Sequence, residues 1–226
     1  MPKSLRTFIE DCQRELPGEV IHITKEVNPA NYDVTAIIKH LGAQKKFPII
    51  IFDKPLNLNG KVGPIKLTMN CEISQGKAQI ALGMPKTSTR PEMAEKCLEM
   101  EEHRIPPTIV DKKSAPVKEN TMVGKNVDLY EIPIMRHHEM DGGPYIVLST
   151  VTKDKKSGIY NCSYHRMEVK SKNTTALYAS PRHLWKIYRD YESRNEEMPV
   201  ATVLGHHPAF HMGACYSGPF EVSEYD

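Results

Sequence analysis

The apolar residues of this chain change rhythm part-way along it, and few folds satisfy both parts. Up to about residue 110 they fall by turns at helical spacing and in short continuous runs; from Ile132 onward, short β-rich runs dominate. Alternating helices and strands build an α/β layer, whereas closely spaced strands joined by turns build a separate, mostly β unit. With 226 residues the chain can bury a core for one large domain or two small ones.

In the first part, Leu5, Phe8, Ile9 and Cys12 share one helical face, with Ser4 placed as N-cap and Pro17-Gly18 as the stop. Val20, Ile21 and Ile23 predict a short strand. Tyr32 to Leu41 predicts a second helix, with Val34, Ile37, Ile38 and Leu41 on one side. The unbroken run Pro48–Phe52 predicts a strand buried on both faces. Pro91–Glu102 predicts a third helix, proline at its first position and Met93, Cys97 and Met100 inward. After the polar stretch Lys112–Val123, strands are expected at Tyr145–Thr152, Ile159–Val169, Thr174–Tyr178 and Val200–Leu204. Lys153–Gly158 supplies a hairpin turn, and one helix, Pro181–Ser193, interrupts the strands. The expectation is an α+β chain: an N-terminal α/β domain over residues 1–114 and a mostly β domain over 115–226.

Charge narrows the function classes. The formal net charge is +2, and the Lys and Arg residues are scattered among Asp and Glu. Nucleic acid, which needs a concentrated basic face, is therefore not an expected partner. Apolar runs are strand-sized and too short to span a bilayer, and the N-terminus reads as an amphipathic segment rather than a signal peptide. Cys12, Cys71, Cys97, Cys162 and Cys215 lie far apart with no CxxC pair, which suggests reduced thiols in a cytoplasmic protein.

Four stretches carry residues suited to chemistry. Asp141-Gly-Gly-Pro-Tyr145 demands a special backbone path: a tight turn, or a loop whose amides approach a ligand. In Asn161-Cys-Ser-Tyr-His-Arg166, an unbroken strand points Asn161, Ser163 and His165 to one face and Cys162, Tyr164 and Arg166 to the other. An Asn oxygen can ligate a hard cation and an Arg can grip a carboxylate, although an exposed polar strand would look the same. In Ser180-Pro-Arg-His-Leu-Trp185, His183 falls in a first helical turn, where free amides favour anions. The tail holds Gly205-His-His-Pro-Ala-Phe-His211 and then Ser217-Gly-Pro-Phe-Glu-Val-Ser-Glu-Tyr-Asp226. His207 and His211 have the i, i+4 spacing of a zinc pair but lack the glutamate of a HExxH hydrolase. The approach to Glu224 suits a loop around a charged ligand.

Taken in order, these stretches resemble the UbiD decarboxylase family. The likeness runs through Asp141–Tyr145, Asn161…Arg166, Arg182-His183, Pro199–Pro208 and Ser223-Glu224, and more loosely through Glu26-Val-Asn-Pro29 and the first helix. It implies that the second domain is a flavin-reductase-like split β-barrel holding prenylated FMN, a cofactor made by a separate flavin prenyltransferase. By position, Asn161, His183 and Glu224 match the ligands of a divalent metal, manganese or else magnesium, that grips the cofactor phosphate. Ser163, Tyr164, His165, Arg166, Arg182, Tyr216 and Ser217 would complete the cofactor contacts. A potassium ion would sit near Cys162 and Ala214–Tyr216. Arg166 matches the arginine that faces the substrate carboxylate, and the reaction implied is reversible decarboxylation of aromatic or α,β-unsaturated acids.

The likeness has gaps. Arg182 stands where some relatives carry glutamine, and His206, His207 and His211 match no family ligand. The sequence ends two residues after Glu224, before the family's catalytic glutamates and dimerisation domain, so the barrel is expected to be incomplete at its C-terminus. The resemblance thus implies a C-terminal half or partner subunit and a homo-oligomer. The competing expectation is a non-catalytic flavin-binding or assembly subunit of a multi-subunit carboxylase.

Overall fold

The computed structural model describes residues 3–220 and 222–224. Glu221 and the end of the tail motif, Tyr225 and Asp226, lie outside the described residues. Helix α1 (Leu5–Glu15) opens with a reciprocal cap: the Ser4 side chain accepts from the Thr7 amide, and the Ser4 amide donates to Thr7 Oγ1. Strands β1 (Val20–Val27) and β2 (Ile49–Pro55) run parallel, with helix α2 (Asp33–Ala43) as the connection. Strand β3 (Leu67–Met69) adds an antiparallel edge to β2. Helix α3 (Gln75–Leu82) follows and ends on Gly83 at φ +70°.

The continuous apolar run of β2 has the burial expected of a central strand. Ile49 and Ile51 pack with Phe8 and Cys12 of α1 and Ala81 of α3, while Ile50 and Phe52 pack with Val34 of α2 on the opposite face. Each such fully buried side chain contributes roughly 1.5–3 kcal/mol. β1 extends further than its apolar residues predict, because Lys25 and Glu26 sit on exposed positions of a paired strand.

The third predicted helix, α4 (Arg90–Glu102), forms, but its expected inward face does not. None of its residues is buried: Met93 and Cys97 are half-buried and Met100 is exposed. The helix owes its start to the Thr89–Glu92 capping box, and no layer among the described residues covers its far side. The following segment exposes Ile105, Ile109, Val117 and Met122. Strand β3 and helix α3 carry weak local signals and are absent from the sequence-based expectation.

The second sheet is antiparallel, in the order β6-β5-β4-β7, from β4 (Tyr145–Lys153), β5 (Tyr160–Ser171), β6 (Thr174–Leu177) and β7 (Val200–Val203). Lys153 pairs with Tyr160 across the predicted hairpin, whose Asp154 carboxylate accepts from the Ser157 hydroxyl and from the amides of Lys156 and Ser157. Helix α5 (His183–Ser193) starts two residues later than predicted, since Pro181 and Arg182 form a turn that places His183 at its first position. Helix α6 (Pro208–Ala214) packs against α3, and its Met212 joins the α1 cluster, while Met135 joins the α2 cluster. The result is a mixed α/β fold in which Met135 and the residues of α6 link the apolar clusters of the two sheets.

Lys77 of α3 is wholly buried and closes the layer at one end. Its ammonium donates to the carbonyls of Phe47, before β2, and Asn70, after β3 at 3.3 Å, and reaches Glu19, before β1, at 3.4 Å. Burial pulls its pKa below the ordinary value. Replacing Lys77 with Ala strands these acceptors and leaves a void, so a loss of about 3 kcal/mol in urea unfolding is expected. An unchanged unfolding midpoint would contradict this role.

Candidate functional site

A cavity of about 1160 Å³ opens between the second sheet, the start of α5 and the chain after α6. That volume is ample for a flavin-sized ligand. Every residue predicted for the site lines it: Asn161, Ser163, Tyr164, His165 and Arg166 from β5, Arg182 and His183 from the α5 start, Tyr216 and Ser217 after α6, and Glu224.

The tightest constellation forms around Glu224, whose side chain is 2% exposed. Asn161 Nδ2 donates to its two oxygens at 3.2 and 3.1 Å, the Cys162 amide donates to Oε2 at 3.1 Å, and His183 Nδ1 lies 3.4 Å from Oε1. A buried carboxylate needs donors or a cation. Among the described residues no Lys or Arg pairs with it. The amide of Asn161 turns its nitrogen toward Glu224 and its oxygen toward the Ser163 hydroxyl at 3.2 Å. Turning that amide over would present the oxygen beside Glu224, and the Ser163 hydroxyl would accept instead of donating. The set then offers amide oxygen, imidazole nitrogen and carboxylate, which fits a hard or borderline divalent cation. Among the described residues no three His, Cys, Asp or Glu side chains gather in a metal-sized group; this cluster contains two of those types plus Asn161.

The first-turn amides of α5 have no side-chain cap, because Arg182 stands at the N-cap without a capping bond. They remain available to an anion at the cavity wall, which suits a phosphate. On β5, Ser163 Oγ lies 2.8 Å from His165 Nε2, so Asn161, Ser163 and His165 share a face as alternation requires. Burial pulls the His165 pKa down. Tyr164, on the opposite face, meets His211 edge-on at 5.3 Å between ring centroids. The Cys162 thiol, buried and then further opposed by Glu224, is pushed up to about 12, so it is held as an unreactive thiol.

The tail histidines have separate partners. His207 caps α6 by accepting from the Ala209 amide and meets Phe8 edge-on, whereas His211 pairs with Glu72 at 2.6 Å. They do not converge on a common point, as a zinc pair would.

Several cavity residues lie outside the sequence-based expectation for the site, among them Glu168, Leu177, Tyr178 and Leu184, and Tyr145 is expected only as the end of a loop motif and the start of a strand. Only Glu168 had a usable signal: it lies two positions beyond Arg166 on a strand, hence on the same face.

Comparisons with known proteins bear on this geometry. Residues 108–226 match the family model described as the UbiD 3-octaprenyl-4-hydroxybenzoate carboxy-lyase Rift-related domain. The phenolic acid decarboxylase of Sedimentibacter hydroxybenzoicus is 28% identical over 232 residues, covering 99% of this chain and 47% of that protein. An evolved dimeric form of the UbiD-class enzyme HmfF from Pelotomaculum thermopropionicum, solved in complex with prFMN, is similar at a TM-score of 0.86. It shares 26% identity, with 99% of this chain and 49% of that one covered. The vanillic acid decarboxylase ShVdcCD of S. hydroxybenzoicus, in closed form, gives a TM-score of 0.84 at 26% identity, over 100% of this chain and 47% of that one. The chain spans about half the length of the curated relatives it matches. With more than half of its residues inside the family model and its fold shared along nearly its whole length, the chain belongs to the UbiD family.

Proposed function

We propose that this chain provides the cofactor and metal site of a reversible, non-oxidative decarboxylase of aromatic or α,β-unsaturated carboxylic acids. The observation that carries the reading is the convergence of Asn161 and His183 on the buried Glu224 carboxylate, inside a cavity also lined by Arg166. Asn161, His183 and Glu224 would hold manganese or magnesium, and the uncapped start of α5 with Arg182 would face the cofactor phosphate. A divalent cation between that phosphate and Glu224 offsets charges that would otherwise repel. Ser163, Tyr164, His165, Tyr216 and Ser217 would contact the rest of the cofactor. Potassium near Cys162 and Ala214–Tyr216 belongs to the same reading.

Prenylated FMN, when bound, supplies the electron sink for loss of carbon dioxide. The chain's own residues orient the substrate. Arg166 presents a planar, permanently charged fork to the substrate carboxylate, and Leu177, Leu184 and several tyrosines line the cavity around it. The second sheet, with β6 and β7 at its edges, is read here as part of a flavin-reductase-like split barrel, with the domain division near residues 114 and 115. Since the relatives are about twice the matched length, turnover is assigned to this chain together with the remaining half of such a protein. That half would come as further chain or as a partner subunit, in a cytoplasmic homo-oligomer supplied by a flavin prenyltransferase.

His183→Ala or Glu224→Ala is expected to weaken manganese binding at least about a hundredfold, read by electron paramagnetic resonance of free Mn²⁺, because a ligand rather than a supporting residue is lost. Unchanged affinity would remove the metal assignment. Arg166→Ala is expected to leave metal and flavin binding intact while lowering turnover of the complemented protein about a hundredfold or more, since the substrate is no longer oriented. Loss of flavin binding in that variant would move Arg166 to the cofactor instead.

A further inference from the structure

Arg166 is 61% exposed along its side chain, an unusual state for a group meant to orient a substrate. A long exposed arginine samples many rotamers unless something holds it. The Asp141–Tyr145 loop meets it on two sides. Arg166 Cζ lies 4.8 Å from the centroid of the Tyr145 ring, and Arg166 Nη2 lies 3.7 Å from Asp141 Oδ1. Stacking on a ring occupies the face of a guanidinium and leaves its in-plane N–H edges free. The Asp141 contact is too long for a hydrogen bond, so it attracts the fork without consuming its donors.

Both holding groups are themselves fixed. The Asp141 carboxylate accepts from the amides of His137 and His138 at 3.2 and 2.9 Å, and its carbonyl accepts from Arg136 Nη2 at 2.7 Å. Tyr145 pairs in register with Glu168, and its hydroxyl donates to Glu168 Oε2 at 3.4 Å. Glu168 is in turn paired with Lys170 at 2.6 Å. The two glycines make this possible: a Cβ at Gly142 or Gly143 would stand 3.1 or 3.2 Å from Glu168 Oε1. The Gly-Gly pair therefore leaves room for a carboxylate of the chain itself.

We propose that Tyr145 and Asp141 are positioning residues for Arg166. This rests on the reading of Arg166 as the group that holds the substrate carboxylate. The test is NMR of the full chain, following the Arg166 side chain with benzoate as the probe. In the free protein the Arg166 Hδ protons should show an upfield ring-current shift that Tyr145→Phe retains and Tyr145→Leu abolishes. Asp141→Asn, which keeps an acceptor for the two amides, should raise the mobility of the Arg166 Nε–H group in ¹⁵N relaxation. Benzoate binding should weaken about fivefold in Tyr145→Leu and stay within about twofold of the parent in Tyr145→Phe. Parent-like Arg166 shifts in Tyr145→Leu, or unchanged mobility in Asp141→Asn, would overturn the proposal, and either variant suffices should the other fail to fold. Arg166→Ala separates the two levels. Benzoate affinity untouched by that change defeats the reading of Arg166 itself, whereas loss there with no effect of Tyr145→Leu defeats only the clamp.

Discussion

Placing a carboxylate in a protein interior costs several kcal/mol, on the order of the stability of a small domain, unless donors or a cation meet it. Glu224 is such a group, and its partners come from separate parts of the fold: the Asn161 side chain and Cys162 amide on a central strand, and the first residue of helix α5. These donors hold Glu224 at the cavity wall. In turn, the tail closes the cavity wall through Tyr216 and Ser217, against which the β5 residues face. A Cβ at Gly218 would meet the Tyr216 ring where it now stands, so a side chain there would require that ring to shift.

The first layer supports this arrangement from behind. β2 is sandwiched between α1 and α3 on one face and α2 on the other, and buried Lys77 ties the strand ends together. α6 carries the support across: its Met212 enters the α1 cluster, its His211 pairs with Glu72, and its Ala214 packs with Val151 and Cys162 of the second sheet. The strand bearing Asn161 is thereby held against the same short helix that leads into the tail.

What the sequence made legible follows from how local each signal is. The Ser4 cap, the buried β2 run and the Lys153–Gly158 hairpin depend on neighbouring residues, and each forms. α4 shows the limit: Met93, Cys97 and Met100 have helical spacing, but spacing does not supply a partner layer, and Met100 stays exposed. The Glu224 cluster joins residues 63 and 41 positions apart, a separation no spacing rule covers. Its members were named through resemblance to a family, and the fold brings them together. The pairing of Tyr145 with Glu168 depends on strand register across β4 and β5, which alternation alone does not reveal.

We propose that this chain holds prenylated FMN through a metal on Asn161, His183 and Glu224. Native mass spectrometry of the chain, co-expressed with a flavin prenyltransferase and supplied with manganese, tests it most directly. The expected result is a bound mass equal to prenylated FMN plus one metal ion, lost together in Glu224→Ala. A protein that stays free of flavin and metal, even when combined with the complementary half of a full-length relative, would contradict it.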